Sequence, residues 1–198
     1  MGSDTRARLL EAAARLFRRQ GYAATGLKQV TAEAGAPWGS LYHFFPGGKE
    51  QLGVDAVGYS GARFTRLFDL VYGRAEGDAA EAVRDVFHLS IDALERSGWG
   101  DGCPIATVAL EAASTSEPLR HACAEVFADW RAATARRLAA EGIERAEDLA
   151  TCVLAAFEGA LLLSRANHDT GPLRVTAEIM ARTIRECRPG SASADSVS

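Results

Sequence analysis

Apolar side chains recur three and four positions apart along almost the whole chain, and this spacing restricts the possible folds more than any other feature. In residues 6–19, Leu9, Ala12, Ala13, Leu16 and Phe17 follow it and predict a one-faced helix ended by Gly21. Leu27, Val30 and Ala34 predict a short second helix, broken by Gly35-Ala36-Pro37. Trp38 to Phe45 fits a third, stopped by Pro46-Gly47-Gly48. From Glu50 to about Tyr72, Val57, Gly61, Phe64, Leu67, Phe68 and Val71 share one side of a long helix. Past a break near Gly77, Val83, Val86, Phe87, Ser90, Ile91 and Leu94 mark another. The Gly-rich stretch 98–102 separates it from Pro104–Ala113, where Pro104 suits a first helical turn. Leu119, Ala122, Cys123, Val126, Phe127, Trp130, Ala133 and Leu138 form a sustained stripe, and residues 147–166 are apolar almost all round. A last helix after Pro172 carries Val175, Ile179, Met180 and Ile184, and the Ser-, Gly- and Ala-rich residues 189–198 read as a disordered tail. With no strand alternation and no internal repeat, the expectation is an all-α chain.

A composition 47% hydrophobic and 24% charged is that of a globular protein with a substantial core. The net charge is -4, but it is unevenly placed. Through Gly53 seven Lys/Arg face four Asp/Glu, and the remaining fifteen face twenty-two. A basic N-terminal part on an acidic body is the asymmetry expected when one end meets phosphate. No uninterrupted apolar stretch reaches the length of a membrane span, and residues 1–17 lack a signal-peptide core, so the expected location is cytoplasmic. Cys103, Cys123, Cys152 and Cys187 are scattered without CxxC spacing and are expected to be free thiols. His121 and Cys123 are two apart, so on a helix they point to different faces and cannot chelate together. There is no Gly-rich phosphate loop and no nucleophile elbow, so neither an enzyme nor a cofactor or metal site is expected.

Three short helices with a glycine in the turn between the second and third match a helix-turn-helix domain. Its third helix must enter the major groove with its N-terminal residues at base edges, while flanking groups grip phosphate. Ser40 and Tyr42 can donate to phosphates, Lys28 and Lys49 bracket the helix with positive charge, and Thr25 is placed to cap the second helix and touch the DNA backbone. The set expected at DNA is Thr25, Lys28, Trp38, Gly39, Ser40, Leu41, Tyr42, His43 and Lys49. Leu41, Phe44 and Phe45 also suit a core, Trp38 could plug the turn, and His43 could be merely solvated.

The string A-x-x-L-F-x-x-x-G-Y-x-x-T in residues 13–25, followed by V-T-A-E-A-G-A-P-W-G-S-L-Y-H-F-F-P-G-G-K-E-Q-L in residues 30–52, resembles the tetracycline-repressor (TetR) family. The G-G before Lys49 and the G-C-P-I of residues 102–105 resemble its LmrA-like branch. The resemblance implies a homodimer, an operator with two half-sites, and derepression by a ligand held in the C-terminal domain. It divides the chain into a DNA-binding domain, 1–49, a ligand-binding and dimerisation domain, 50–188, and the tail. The sequence departs from the family at Phe44, where histidine is usual and here falls one step earlier at His43, and at Trp38, where small or basic residues are commoner.

The large apolar groups expected to line a ligand pocket are Phe64, Phe68, Phe87, Ile91, Trp99, Ile105, Phe127, Trp130, Phe157 and Leu161. Glu158, with His88, Thr107 and Asn167, is a candidate for orienting a planar or lipophilic effector; Glu158 could equally reach solvent. Residues 147–166 are apolar on more faces than one core uses, so with the last helix they are expected to form a two-fold contact through Val153, Ala156, Ala160, Leu163, Ile179, Met180 and Ile184. The alternatives are a regulator that senses redox state through Cys103 or one that needs no ligand.

Overall fold

The computed structural model describes residues 2–190, and among them all regular structure is helical. The helices are α1 (Gly2–Gln20), α2 (Leu27–Glu33), α3 (Trp38–Phe44), α4 (Gly48–Arg74), α5 (Ala79–Arg96), α6 (Pro104–Ala112), α7 (Glu117–Ala140), α8 (Ala146–Asn167) and α9 (Gly171–Glu186). Residues 191–198 of the expected tail lie outside the described residues.

The ends follow from local chemistry. Gly21, at φ 89°, takes the left-handed turn that closes α1. The Asp78 carboxylate accepts the Glu81 N–H at 3.1 Å and caps α5. Cys103 Sγ accepts the Ala106 N–H at 3.4 Å and caps α6, with Pro104 in its first turn. At the end of α8, His168 is left-handed (φ 51°), and Asp169 N–H returns to the Ser164 carbonyl at 3.2 Å. The buried Ser164 hydroxyl then accepts from Leu173 N–H in the first turn of α9, so one serine serves both helices.

The chain forms two compact units that do not follow chain order. The first joins the residues through Phe64 to Gly100–Phe127, and so holds α1–α3, the start of α4, α6 and the start of α7. Its core includes Leu9, Phe17, Leu41, Phe45, Leu52, Ile105 and Leu119. Gly61 is glycine because α4 passes close to α7: a Cβ there would lie 2.7 Å from the Val126 methyl carbons. The second unit joins Thr65–Trp99 to the residues from Ala128 onward. In it α9 packs on α5 and α8, and Phe87 meets Phe157 edge-on with ring centroids 5.2 Å apart. Arg188 ties three elements together, reaching the Asp78 and Glu141 carboxylates at 2.6 Å each. The 49/50 division inferred from sequence falls in the first turn of the continuous helix α4.

Helix α8 is long and apolar enough to cross a membrane by length and composition, with a mean hydropathy of 1.5. Glu147, Asp148, Glu158 and Arg165 interrupt it, and Leu149, Ala150, Val153, Phe157, Ala160 and Leu161 are buried within the protein. It is a core helix.

Candidate nucleic-acid interface

Helix α1 builds the reading head. Its buried face of Leu9, Ala12, Ala13, Leu16 and Phe17 supports α2 and α3. The Arg8 guanidinium donates to the Ala34 and Gly35 carbonyls at 3.1 and 3.3 Å, satisfying acceptors left open at the end of α2. Gly35, at φ 56°, turns the chain, and Ala36 N–H closes on the Thr31 carbonyl at 2.9 Å. Leu41 and Phe45, four apart on the inner side of α3, are fully buried, and the Arg6 guanidinium lies 5.4 Å over the Phe45 ring.

Fixing that inner side decides the outer one. Trp38 (44% exposed), Gly39, Tyr42 (49% exposed) and His43 form one uncovered strip, with Ser40 half-buried beside it. The Trp38 and Tyr42 rings meet edge-on with centroids 5.6 Å apart, one helical turn from each other. Lys28 is exposed on α2. The structure thus brings six of the nine residues expected at DNA, Lys28, Trp38, Gly39, Ser40, Tyr42 and His43, to accessible positions in the head. Trp38 does not plug the turn.

Two expectations need correction, and a third residue takes on a structural role. Thr25 is 1% exposed, and its hydroxyl donates to the Gly21 carbonyl at 2.6 Å; the cap position of α2 is Gly26, so Thr25 braces the loop from inside. Leu41 is core, leaving no surface for DNA. Lys49 folds back: its ammonium donates to the Ala23 carbonyl at 3.1 Å and sits 4.6 Å over the Tyr22 ring. Burial pushes Lys49 below the ordinary lysine range, with Glu111 acting the other way. Its job is to hold the loop between α1 and α2.

Sequence reasoning missed the partner in that task. The Glu111 carboxylate, on α6, accepts the Ala23 N–H at 2.6 Å, so both polar groups of one peptide residue are engaged by charged side chains. Gly21, already left-handed at φ 89°, leaves room for it: a Cβ there would fall 1.9 Å from Glu111 Oε1 and displace the carboxylate. The other end of α6 is also fastened: Gly102 N–H donates to the Arg18 carbonyl at 3.2 Å, and Arg18 pairs with Asp101 at 2.7 Å. Arg8 and Glu111 were invisible as singletons, because their partners are backbone groups far along the chain.

The residues expected to line a pocket divide between the units. Phe64, Ile105 and Phe127 belong to the first; Phe68, Phe87, Ile91, Trp99, Trp130, Phe157, Glu158 and Leu161 belong to the second. Ile105 and Phe87 retain almost no accessible surface and act as packing, which corrects their assignment as pocket wall. Phe68 and Tyr72 receive the Arg137 guanidinium at 4.9 and 4.8 Å, so that aromatic pair already holds a cation from its own chain. Trp99 stacks on His168 with centroids 5.4 Å apart and planes 7° from parallel.

The expected two-fold contact also shifts. Val153, Ala160 and Ile184 are buried in the unit's own core and cannot face a partner; Ala156 and Met180 are half-buried, and Leu163 and Ile179 are exposed. An all-round apolar helix does not reveal which stripe its own core takes. Here the core takes Leu149, Val153, Phe157, Ala160 and Ser164, leaving Cys152, Ala155, Gly159, Leu162 (60% exposed) and Leu163 (55% exposed) on the outside, with Val175 and Ile179 exposed on α9. Among the described residues no group of three or more His, Cys, Asp or Glu is placed to hold a metal ion.

Two family descriptions match this chain. Residues 9–56 match the bacterial regulatory proteins of the tetR family, and residues 79–179 match the C-terminal domain of LmrA/YxaF-like transcriptional regulators. The HTH-type transcriptional regulator YxaF of Bacillus subtilis is 40% identical over 185 residues, covering 92% of this chain and 96% of that protein. LmrA of the same organism, also an HTH-type transcriptional regulator, is 38% identical, covering 86% of this chain and 91% of its own length. Among solved structures, the regulatory protein TetR from Rhodobacter sphaeroides superposes with a TM-score of 0.79 at 23% identity, covering 89% of this chain and 96% of that one.

Proposed function

Because this chain belongs to the TetR family, with an LmrA/YxaF-like C-terminal domain, and is a DNA-binding transcriptional regulator rather than an enzyme, we propose that it is a cytoplasmic homodimeric repressor released from its operator by a small hydrophobic or aromatic effector. Residues 1–49 read DNA, and residues 50–188 pair the protomers and sense the effector. The observation that carries this reading is the uncovered strip of α3, held out by Leu41 and Phe45 on the inner side. A single short helix buries too little to select a site, whereas two placed about 34–36 Å apart reach successive major-groove faces. The exposed leucines of α8 and the exposed Val175 and Ile179 of α9 supply an apolar surface for such pairing. The half-buried Trp99 and Glu158, with the buried Phe68, Ile91, Trp130, Phe157 and Leu161, are the candidates for an aromatic-walled effector site in the second unit, and the half-buried Phe64 and Phe127 are those in the first.

Redox control through Cys103 is the weaker reading because that thiol is buried; burial also pushes Cys123 up to about 11, so it is a protonated, poor nucleophile at neutral pH, while Cys152 and Cys187 are exposed.

A thermal-shift screen of small aromatic and lipophilic compounds, followed by operator-affinity measurements with each hit, tests the sensing claim. At least one stabilising compound should weaken operator binding. If every compound that binds leaves operator affinity unchanged, the effector reading fails while DNA binding stands.

A further inference from the structure

The chemistry of the outer strip of α3 says which base features it can read. Major-groove discrimination rests on a few pairings: Arg or Lys to guanine, Asn or Gln to adenine, Asp or Glu to cytosine, Ser or Thr to more than one base, and apolar groups to the thymine methyl; the one short hydroxyl on α3, Ser40, is half-buried. Helix α3, Trp38-Gly39-Ser40-Leu41-Tyr42-His43-Phe44, contains no Arg, Lys, Asn, Gln, Asp or Glu. Its most prominent outward group at the N-terminal end, where recognition helices meet base edges, is the Trp38 indole. The edge-on contact with Tyr42 holds that ring, and Gly39 beside it adds no side chain to keep the groove floor away.

Neighbouring elements do not make up the missing readers. Gln29 on α2 exchanges hydrogen bonds with Gln20 at 2.8 and 3.1 Å. The arginines of α1 all have partners, in pairs at the surface: Arg6 with Asp55 at 2.6 Å, Arg8 with the α2 carbonyls, Arg15 with Glu33 at 2.8 Å, and Arg18 and Arg19 with Asp101 at 2.7 and 3.9 Å. Lys28 is exposed, but an ammonium point charge suits phosphate better than the forked guanine contact.

We propose that α3 reads its half-site through thymine 5-methyl groups packed against the Trp38 indole, so that the operator carries T·A pairs where the N-terminal end of α3 enters the groove. The inference rests on the DNA-reading role proposed for α3. Tyr42 and Ser40 keep their hydroxyls for phosphate, and His43 lies at the far end of the strip.

The experiment replaces thymine by deoxyuridine, which removes the methyl group and leaves base pairing intact. The operator is first located by protection of DNA selected from random sequence. Duplexes with thymine or deoxyuridine throughout both half-sites are then compared for affinity. Loss of one buried methyl contact should weaken binding about fourfold, and of one in each half-site about fifteenfold. Trp38→Ala should bind thymine DNA more weakly and show no difference between the two duplexes, whereas Trp38→Leu, which keeps an apolar contact, should retain part of it. Equal affinity of the unaltered protein for both duplexes overturns the inference, as does a difference that persists in Trp38→Ala. If Trp38→Ala does not fold, the unaltered protein and Trp38→Leu still decide. No protected sequence at all would overturn the DNA-reading role of α3 as well; a protected sequence bound without regard to methyl groups overturns only the thymine reading.

Discussion

On α3 the uncovered side chains are Trp38, Tyr42 and His43, each an aromatic ring with a hydrogen-bonding edge. Between Cys152 and Leu163 of α8 they are Cys152, Ala155, Leu162 and Leu163, with Gly159 among them, and no exposed side chain in that stretch can donate an N–H or O–H. Both helices bury one stripe in the core and leave another outside. What differs is what each outer stripe can satisfy. The first can pack and hydrogen-bond at once, as a groove lined with bases and phosphates requires. The second gains only by leaving water, as a second apolar surface requires. Exposure alone does not identify a functional surface; the chemistry of the exposed atoms does.

The largest expected effect comes from placing a charge on the α8 stripe. Leu162→Arg should leave the protomer folded, because this leucine is already 60% exposed. In a pair it would bury an unpartnered charge at a cost of about 3–5 kcal/mol. Sedimentation should show monomers, and operator affinity should fall at least a hundredfold. A dimer that survives would mean the stripe is not where the protomers meet. Next, Leu41→Ala on the inner side of α3 should destabilise the protein by about 2–5 kcal/mol in chemical denaturation, since the residue is fully buried. A loss near zero would place Leu41 at the DNA-facing surface after all.

The helices themselves are legible in the sequence, because glycine and proline punctuate a clear three- and four-residue period. Helix α4 begins at Gly48 and α9 at Gly171, each slightly before the expected start. The outer strip of α3 is also legible, as Leu41 and Phe45 lie one turn apart and assign the inner side. Lys49, Thr25 and Glu111 are not. A long lysine stem reaches solvent or its own chain equally well from sequence, and Ala23 and Glu111 meet across 88 positions. The α8 assignment failed at Val153 and Ala160 for a different reason. When every face is apolar, only packing decides which one a partner sees.

A smaller effect separates the two lysines of the reading head. Lys28→Ala should lower the slope of log affinity against log salt by about one for each protomer, as loss of a phosphate contact does. Lys49→Ala should leave that slope unchanged and instead speed hydrogen exchange at the loop from Gly21 to Gly26. The mildest expectation concerns acid. Burial acts to raise the Asp78 carboxyl, but the Glu81 N–H and the Arg188 guanidinium outweigh it and hold it below its ordinary 3.8. Its contribution is therefore complete above that value and lost as pH falls through the lower folded one. Asp78→Ala should cost about 1 kcal/mol at neutral pH and show less acid sensitivity between those limits.

The most direct trial of the central claim is a hydroxyl-radical footprint of the selected DNA with the intact protein. Two α3 helices related by a two-fold axis should protect two patches on one face of the duplex, about one helical turn apart centre to centre. Leu162→Arg should abolish both patches together. A single patch, or two that vanish independently, would contradict reading by a symmetric pair.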